Sequence, residues 1–165
     1  MGAVAPGFQE INAFAPVPWE QIPDLGLYMD QVITFIGRIY QPLYGADMKK
    51  YLSPAMINNY VKSRLIPRPA GKKYSREQIA LLTMIVVLKQ AATMEDIRRL
   101  LTPGEGQSVE GLYDAFCQRF TRVLRELQTP DDADIDPALD FAIRAAGFQA
   151  GCRAALEADG GSHAG

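Results

Sequence analysis

Two helix starts separated by a proline-rich corner lie within residues 52–76, and they constrain the fold more than any other feature of the chain. Ser53 followed by Pro54 predicts a helix start, because a serine oxygen accepts from free backbone N–H groups and proline gives up none at the first helical position. Pro67 and Pro69 disfavour helical backbone before them, so this helix ends soon after residue 64. The pattern therefore predicts a short helix followed by a sharp corner.

After the corner, the chain predicts a tight basic turn and a second helix. Residues 70–74 read Ala-Gly-Lys-Lys-Tyr, and Ser75 with Gln78 has the spacing of a capping box. The helix that follows, residues 76–91, is apolar on most sides and is predicted to be buried. We expect any β structure to be confined to a small wing near residues 68–74.

The same part of the chain is strongly basic. Residues 49–76 hold eight of the 17 lysine and arginine side chains and no acidic residue, which leaves nine basic residues against 19 acidic ones elsewhere. A basic strip that also carries Asn and Ser side chains is the expected footprint of phosphate and base contacts. The alternative is a charged run that only faces solvent.

The first helix presents a polar face on which Asn58 and Lys62 lie one turn apart, with Asn59 beside them. We predict that the two Asn side chains contact base edges in the major groove or position the helix there, since Asn pairs bidentately with adenine. The alternative is that both side chains only cap or solvate the helix. Neutralisation of DNA phosphates is predicted for Lys62, Arg64, Lys72, Lys73 and Arg76. Three further residues complete the predicted DNA-binding set: Ser53, Arg68 and Tyr74.

The order of residues here resembles the winged helix-turn-helix of MerR-type transcription regulators. The resemblance rests on Ser53, Ile57, Asn58-Asn59-Tyr60, Leu65-Ile66-Pro67 and Lys72-Lys73-Tyr74-Ser75. It implies a Ser-capped second helix, a Leu-Leu-Pro-like corner and a basic wing that ends in Tyr-Ser, and residues 88–101 are similar to that family's next segment. Ala55 and Asn58 stand where those regulators usually carry arginine, and Asn59 stands where they carry a tyrosine.

A closer resemblance is to an uncharacterised bacterial family of domains of unknown function (DUF1836-like). It covers roughly residues 18–101 and rests on three blocks, which read Tyr-Met-Asp-Gln-Val, Met-Ile-Asn-Asn-Tyr-Val-Lys and Lys-Lys-Tyr-Ser-Arg-Glu.

The remaining periodicity predicts a mainly α fold with a C-terminal helical pair. The resemblance implies that a MerR-like winged helix-turn-helix domain precedes this pair. Asp24 is a plausible N-cap for a broadly apolar helix that runs to Leu43. A short helix is predicted from Thr93 to Leu101, and another helix from Ser108 to about residue 128. Asp136 precedes a last helix that is rich in Ala and Gly and ends near residue 158. The predicted organisation is an irregular arm (1–24), the DNA-binding domain (25–104), a helical dimerisation or effector module (107–158) and a disordered tail (159–165).

The sequence offers little for catalysis. Its single histidine, His163, lies in a Gly-rich tail, so triads and His-metal sites lack a partner, and we expect no enzyme activity, metal or cofactor. Cys117 and Cys152 are solitary, which fits a reducing cytoplasm. No apolar run has the length of a membrane span.

We therefore expect a cytoplasmic DNA-binding transcriptional regulator whose partner is double-stranded DNA. We expect a homodimer, because a two-fold symmetric protein doubles its contacts on a palindromic DNA site. The predicted dimer contact is made by either helix 108–128 or the Ala/Gly face of 138–158. The sequence does not define a small-molecule effector. The alternative is a protein-interaction module in which the winged helix no longer binds DNA and its basic face meets an acidic partner.

Overall fold

The structure, a computed structural model, describes residues 6–131 and 134–161. The predicted mainly α fold is confirmed. Within these ranges lie seven α-helices: α1 (Pro6–Ala13), α2 (Met29–Tyr44), α3 (Pro54–Lys62), α4 (Arg76–Leu88), α5 (Met94–Leu101), α6 (Val109–Arg125) and α7 (Pro137–Gly161). Trp19–Gln21 and Met48–Lys50 each form one turn of 3-10 helix.

Helix α4 is the centre of the hydrophobic core, as its apolar sequence predicts. Its residues 78–86 are all buried, and α2, α3, α5 and α6 contribute buried side chains to the same core. Two polar groups inside are satisfied: the Thr83 hydroxyl donates to the Ile79 carbonyl at 2.8 Å, and the Tyr40 hydroxyl donates to the Thr83 carbonyl at 3.0 Å. The buried Tyr60 hydroxyl, by contrast, has no hydrogen-bond partner among the described residues. Buried polar groups without such partners would destabilise the core.

The helix starts around the corner are confirmed by their hydrogen bonds. The Ser53 hydroxyl accepts from the Met56 N–H at 3.3 Å, with Pro54 as the first helical residue. At α4, the Ser75 hydroxyl accepts from the Gln78 N–H at 3.3 Å, and the Gln78 side-chain oxygen accepts from the Ser75 N–H at 2.7 Å. Local sequence signals therefore fix both helix starts.

The predicted irregular arm is wrong over Pro6–Ala13, which is helix α1, whereas residues 14–18 and 22–24 are irregular. Residues 1–5 lie outside the described ranges. The Asn12 amide donates to the Leu124 carbonyl at 2.7 Å and to the Leu127 carbonyl at 3.0 Å, where α6 ends. These partners are more than 100 residues away along the chain. Long-range contacts therefore hold a segment that has no helical pattern of its own.

The predicted N-cap at Asp24 is also wrong. Helix α2 begins at Met29 with Tyr28 as its N-cap, and Gly26 before it has a φ of 77°, which a helix excludes. Asp24 instead lies 3.6 Å from the Arg76 guanidinium. Contact with the distant α4 start therefore takes the place of the predicted cap.

No strand occurs in residues 6–131 or 134–161, so the predicted wing has no β ladder in the structure. Two isolated bridges remain, Leu27 with Tyr74 and Ala70 with Lys73. The segment between Pro67 and Tyr74 is too short, with prolines at 67 and 69, to pair along its length. A winged helix normally has strands, so the predicted winged helix-turn-helix is not confirmed, and residues 70–73 form a single closed turn.

Helices α6 and α7 relate differently to the core. Helix α6 packs against α4 and α1 and buries Tyr113 and Leu124. Helix α7 begins as predicted, with Asp136 accepting from the Leu139 N–H at 3.1 Å. The predicted tail is partly corrected, because residues 159–161 are helical, whereas 162–165 lie outside the described residues. A separate dimerisation or effector role for residues 107–158 stays a prediction.

Candidate nucleic-acid interface

Seven of the predicted DNA-binding side chains are exposed, and together we name them the basic surface. They are Asn58, Asn59, Lys62, Arg64, Arg68, Lys72 and Lys73. In the described part of the chain, none of its five cations forms an ion pair, whereas the nearby Lys50 lies 3.5 Å from Asp47. The basic surface therefore keeps its positive charge available for an anionic partner.

Helix α3 is amphipathic, and its inner side is fixed in the core. Ile57 and Tyr60 are buried, while Asn58, Asn59 and Lys62 lie on the outer side. Neither Asn side chain has a hydrogen-bond partner among the described residues. Both amides are therefore free to pair with an external donor and acceptor, and neither caps the helix.

The corner after α3 is held by internal contacts. Arg64 has a left-handed φ of 59°, and Leu65 and Ile66 then turn into the core. The Gln78 amide donates to the Pro67 carbonyl at 2.9 Å, which ties the corner to the start of α4. The corner is therefore fixed relative to both helices.

The basic turn is tight and closed. The Lys73 N–H donates to the Ala70 carbonyl at 3.1 Å, and the two residues between them, Gly71 and Lys72, have φ values of 56° and 63°. Two consecutive positive φ angles are what a type I′ turn requires. The turn places Lys72 and Lys73 next to each other at an exposed tip, with the Lys73 ammonium 5.3 Å from the centre of the Tyr28 ring.

Tyr74 is placed where DNA contact by its side chain is blocked. Its side chain is 3% exposed, and burial raises the pKa of its hydroxyl. Its backbone exchanges hydrogen bonds with Leu27, at 2.8 Å and 3.1 Å. Tyr74 therefore anchors the turn to the segment before α2, and its assignment to the DNA-binding set is corrected.

Arg76 and Ser53 also have internal partners. The Arg76 Nε donates to the Ile22 carbonyl at 2.8 Å, and its guanidinium lies 5.8 Å from the centre of the Trp19 ring. The Ser53 hydroxyl serves as the α3 cap. Both side chains are therefore engaged within the scaffold, and neither belongs to the basic surface.

The sequence alone does not identify one residue that supports α3. The Arg98 guanidinium in α5 donates to the Ser63 carbonyl at 2.5 Å and to Glu95 at 2.8 Å. A cation at the C-terminal end of α3 is favourable, because the last helical carbonyls carry partial negative charge. The sequence shows only an arginine late in its own helix, so no local signal identifies this partner 35 residues away.

Two clefts flank α3. The N-terminal cleft, of about 860 Å³, lies between the starts of α2 and α3 and the basic turn, and is largely apolar. The C-terminal cleft, of about 730 Å³, lies between the corner after α3 and the loop after α5, and Lys62, Arg64 and Arg68 line it without any acidic residue. The basic surface is thus bordered by a concave, partly apolar site on each side.

Metal-ligating clusters of three or more His, Cys, Asp or Glu are absent from the described residues. In that same part of the chain, no helix combines the length and apolar character needed to cross a membrane. Cys117 and Cys152 are both free thiols.

Comparison with known proteins gives one match. A family described as "Domain of unknown function (DUF1836)" matches residues 17–116, which run from the segment before Trp19 into α6 and include the whole basic surface and both clefts. No curated protein and no solved structure matches the chain significantly. Since the match covers more than half of its length, the chain belongs to the DUF1836 family.

Proposed function

We propose that this protein is a DNA-binding transcriptional regulator that presents α3 and the basic turn to duplex DNA, as a reduced form of the MerR-like winged helix-turn-helix. One observation carries the proposal: between residues 58 and 73, seven polar or basic side chains are exposed without an ion pair and without any carboxylate among them. A surface of this kind attracts a polyanion.

The division of roles follows from geometry. Asn58 and Asn59 lie on the outer side of α3 with free amides, and such amides read adenine in the major groove. The five cations of the basic surface surround these two amides and neutralise phosphates. With about 0.9 counterion released per phosphate contact, five contacts give a log–log salt slope of about −4.5 per chain.

Rigidity of the reader supports the same function. Helix α3 is capped by Ser53 at its start and by Arg98 at its end, and its inner face lies in the core. A helix held at both ends loses little conformational entropy on binding. The reader is therefore preorganised before DNA arrives.

We also propose that the regulator acts as a homodimer through α7. The apolar face of α6 is used within the chain, with Tyr113 and Leu124 in the core. On α7, by contrast, Leu139, Ile143 and Phe148 are 54%, 55% and 79% exposed. Light scattering at tens of micromolar should give the mass of two chains, and a monomer at that concentration contradicts the dimer.

The experiment that tests DNA binding is selection from a random duplex pool, followed by mobility shifts on the enriched sites. Asn58→Ala should flatten the preference among sequences and leave the salt slope unchanged. Lys73→Ala should weaken binding to all sequences about equally and reduce the slope by about one unit. Arg119→Ala, an exposed cation on α6, is the matched control and should bind like the parent.

One observation favours a second candidate, a module that binds an acidic protein segment. The C-terminal cleft combines three unpaired cations with apolar residues such as Leu65, Leu81 and Leu101. An acidic amphipathic peptide matches this combination. If the parent binds no duplex at low salt but binds such a peptide, and Arg68→Glu abolishes that binding, the second candidate replaces the first.

A further inference from the structure

We propose that the N-terminal cleft binds a small amphipathic anion, a molecule with an aromatic or aliphatic body and one carboxylate-like group, and that this ligand displaces DNA. The cleft and its ligand stand on their own geometry. The displacement of DNA rests on the proposed function.

The size and lining of the cleft fit a small molecule. Its volume of about 860 Å³ lies in the range of roughly 300–1,000 Å³ that is usual for ligand sites. Leu52 and Tyr74 are buried side chains that line it, and Met29 and Ile33 of α2 line it as well. A phosphate backbone has no apolar group that covers such residues, so DNA contact alone does not account for the cleft.

The charge around the cleft favours an anion. Lys49 and Lys72 line it, both are exposed, and neither forms an ion pair with any described residue. Asp30 is the single carboxylate of the lining. The cleft also adjoins the N-terminal ends of α2 and α3, where helix dipoles place partial positive charge. The positive charge around the cleft and its apolar lining therefore favour a ligand that carries an anionic group on an apolar body.

The ligand and DNA would compete for the same side chains. Asn58 and Lys72 line the cleft and also belong to the basic surface. A bound anion neutralises Lys72 and covers the Asn58 amide, which removes one proposed phosphate contact and one proposed base contact. The ligand thus releases the protein from its DNA site by direct competition.

Binding is tested on the full chain with 8-anilinonaphthalene-1-sulfonate, a fluorescent aromatic anion. We expect saturable binding of one probe per chain. Decanoate should displace the probe, whereas decanol, which has a similar chain length and no charge, should displace it at least tenfold less well. Absence of probe binding, or equal displacement by decanol, overturns the anionic site.

Charge reversal locates the site. Lys49→Glu and Lys72→Glu should each weaken probe binding by about tenfold, the effect of losing a hydrogen bond to a charged group. Asp30→Asn should strengthen it. Two controls should bind like the parent: Arg119→Glu, an exposed cation of α6 outside both clefts, and Val123→Ser, an exposed apolar residue of the same helix. Parent-like binding by both Lys49 and Lys72 variants contradicts the assignment.

Measurement of the DNA affinity with and without decanoate distinguishes this proposal from the proposed function. Saturating decanoate should lower the affinity for a selected duplex by at least tenfold in the parent, and it should do so much less in Lys49→Glu. If decanoate binds but the DNA affinity is unchanged, the competition is wrong. If the parent binds no duplex, the proposed function fails and the competition fails with it, whereas the probe titrations still decide whether the cleft is a site.

Discussion

Helices α4 and α7 are both rich in apolar residues, yet they lie in opposite environments. Residues 78–86 of α4 are all buried, whereas in the 25-residue α7 Leu156 is the single buried side chain of those described. Helix α4 is built of Ile, Leu, Met and Val, but α7 is built largely of Ala and Gly. Since buried apolar area scales with side-chain size, each small residue contributes little. The size of apolar side chains, more than their number, therefore decides which helix forms the core.

The largest expected difference between the two helices comes from truncating one aliphatic side chain in each. Leu82 of α4 is 0% exposed and Ile143 of α7 is 55% exposed. Leu82→Ala should lower the free energy of unfolding by about 2–5 kcal/mol, through lost burial and the cavity left behind. In the single chain, at a protein concentration low enough to keep it monomeric, Ile143→Ala should change it by less than about 0.5 kcal/mol.

Urea denaturation at several protein concentrations measures both variants. If Ile143→Ala is as destabilising as Leu82→Ala, and the effect shrinks as the protein is diluted, then α7 is buried between subunits. That outcome would contradict the placement of α7 as an exposed helix in the assembled protein, and it would support the proposed dimer.

Two adjacent arginines allow a sharper comparison, because each donates to a backbone carbonyl at 2.5 Å. Arg98 holds the end of α3 through Ser63, and Arg99 contacts α7 through Leu156. Arg98→Ala should cost about 1–3 kcal/mol, the usual loss for a charge-assisted hydrogen bond, and should speed amide exchange in α3. Arg99→Ala should cost less, and its effect on exchange should be confined to α7.

Hydrogen exchange with mass spectrometry separates these two outcomes segment by segment. Lys substitution at each position is the control for charge alone, since lysine keeps the cation without the guanidinium geometry. Exchange that rises throughout the chain in Arg99→Ala contradicts the peripheral placement of α7.

These contacts also show what the sequence predicts and what it does not. Ser53, Ser75, Thr93, Ser108 and Asp136 were all predicted to begin helices and do so, because a cap acts within three residues of itself. The apolar character of α4 was likewise enough to predict its burial. Helix formation and burial of strongly apolar helices are therefore readable from local pattern.

The errors have a different origin, namely partners that are distant in the sequence. Asn12 stabilises α1 against α6 through contacts that span more than 100 residues, so the segment was predicted to be irregular. In the candidate site, Tyr74 and Arg76 match the pattern of the basic turn, but Leu27 and Ile22 hold them inside the scaffold. Residue type predicts the chemistry of a side chain, whereas its availability depends on tertiary contacts.

Alkaline pH should weaken the core side of the molecule in particular. Burial raises the pKa of the Cys117 thiol from 9.0 to about 11, and that of the Tyr44 hydroxyl from 10.0 to about 12, with further help from Tyr51 at the latter. The folded chain therefore holds these protons more tightly than the unfolded chain. Their contribution to stability is fully present below about pH 9 and is lost as the pH rises through 11 and 12.

Denaturation in urea at pH 8, 9.5 and 11 measures this loss. Cys117→Ala removes the titration of the thiol, so its stability should fall less steeply than that of the parent between pH 9 and 11. Cys152→Ala on α7 is the control for the loss of a thiol. Parallel pH profiles for the parent and Cys117→Ala would show that the buried thiol does not contribute.

The smallest expected effect concerns the contact between α1 and the start of α7. The rings of Phe8 and Phe141 are stacked with their centres 5.5 Å apart. Such a pair contributes about 0.5–1.5 kcal/mol beyond its area, and here both rings keep part of their surface in solvent, so Phe141→Ala should lower the unfolding free energy by about 1 kcal/mol. Phe148→Ala, on the same helix but 79% exposed in the single chain, should leave it unchanged when the protein is dilute enough to be monomeric. In a Phe8→Ala background, Phe141→Ala should cost less than in the parent, because the stacking partner is already gone. A double-mutant cycle on thermal or urea unfolding gives the coupling, and a coupling of zero would mean that the start of α7 is held by its Asp136 cap rather than by its contact with α1.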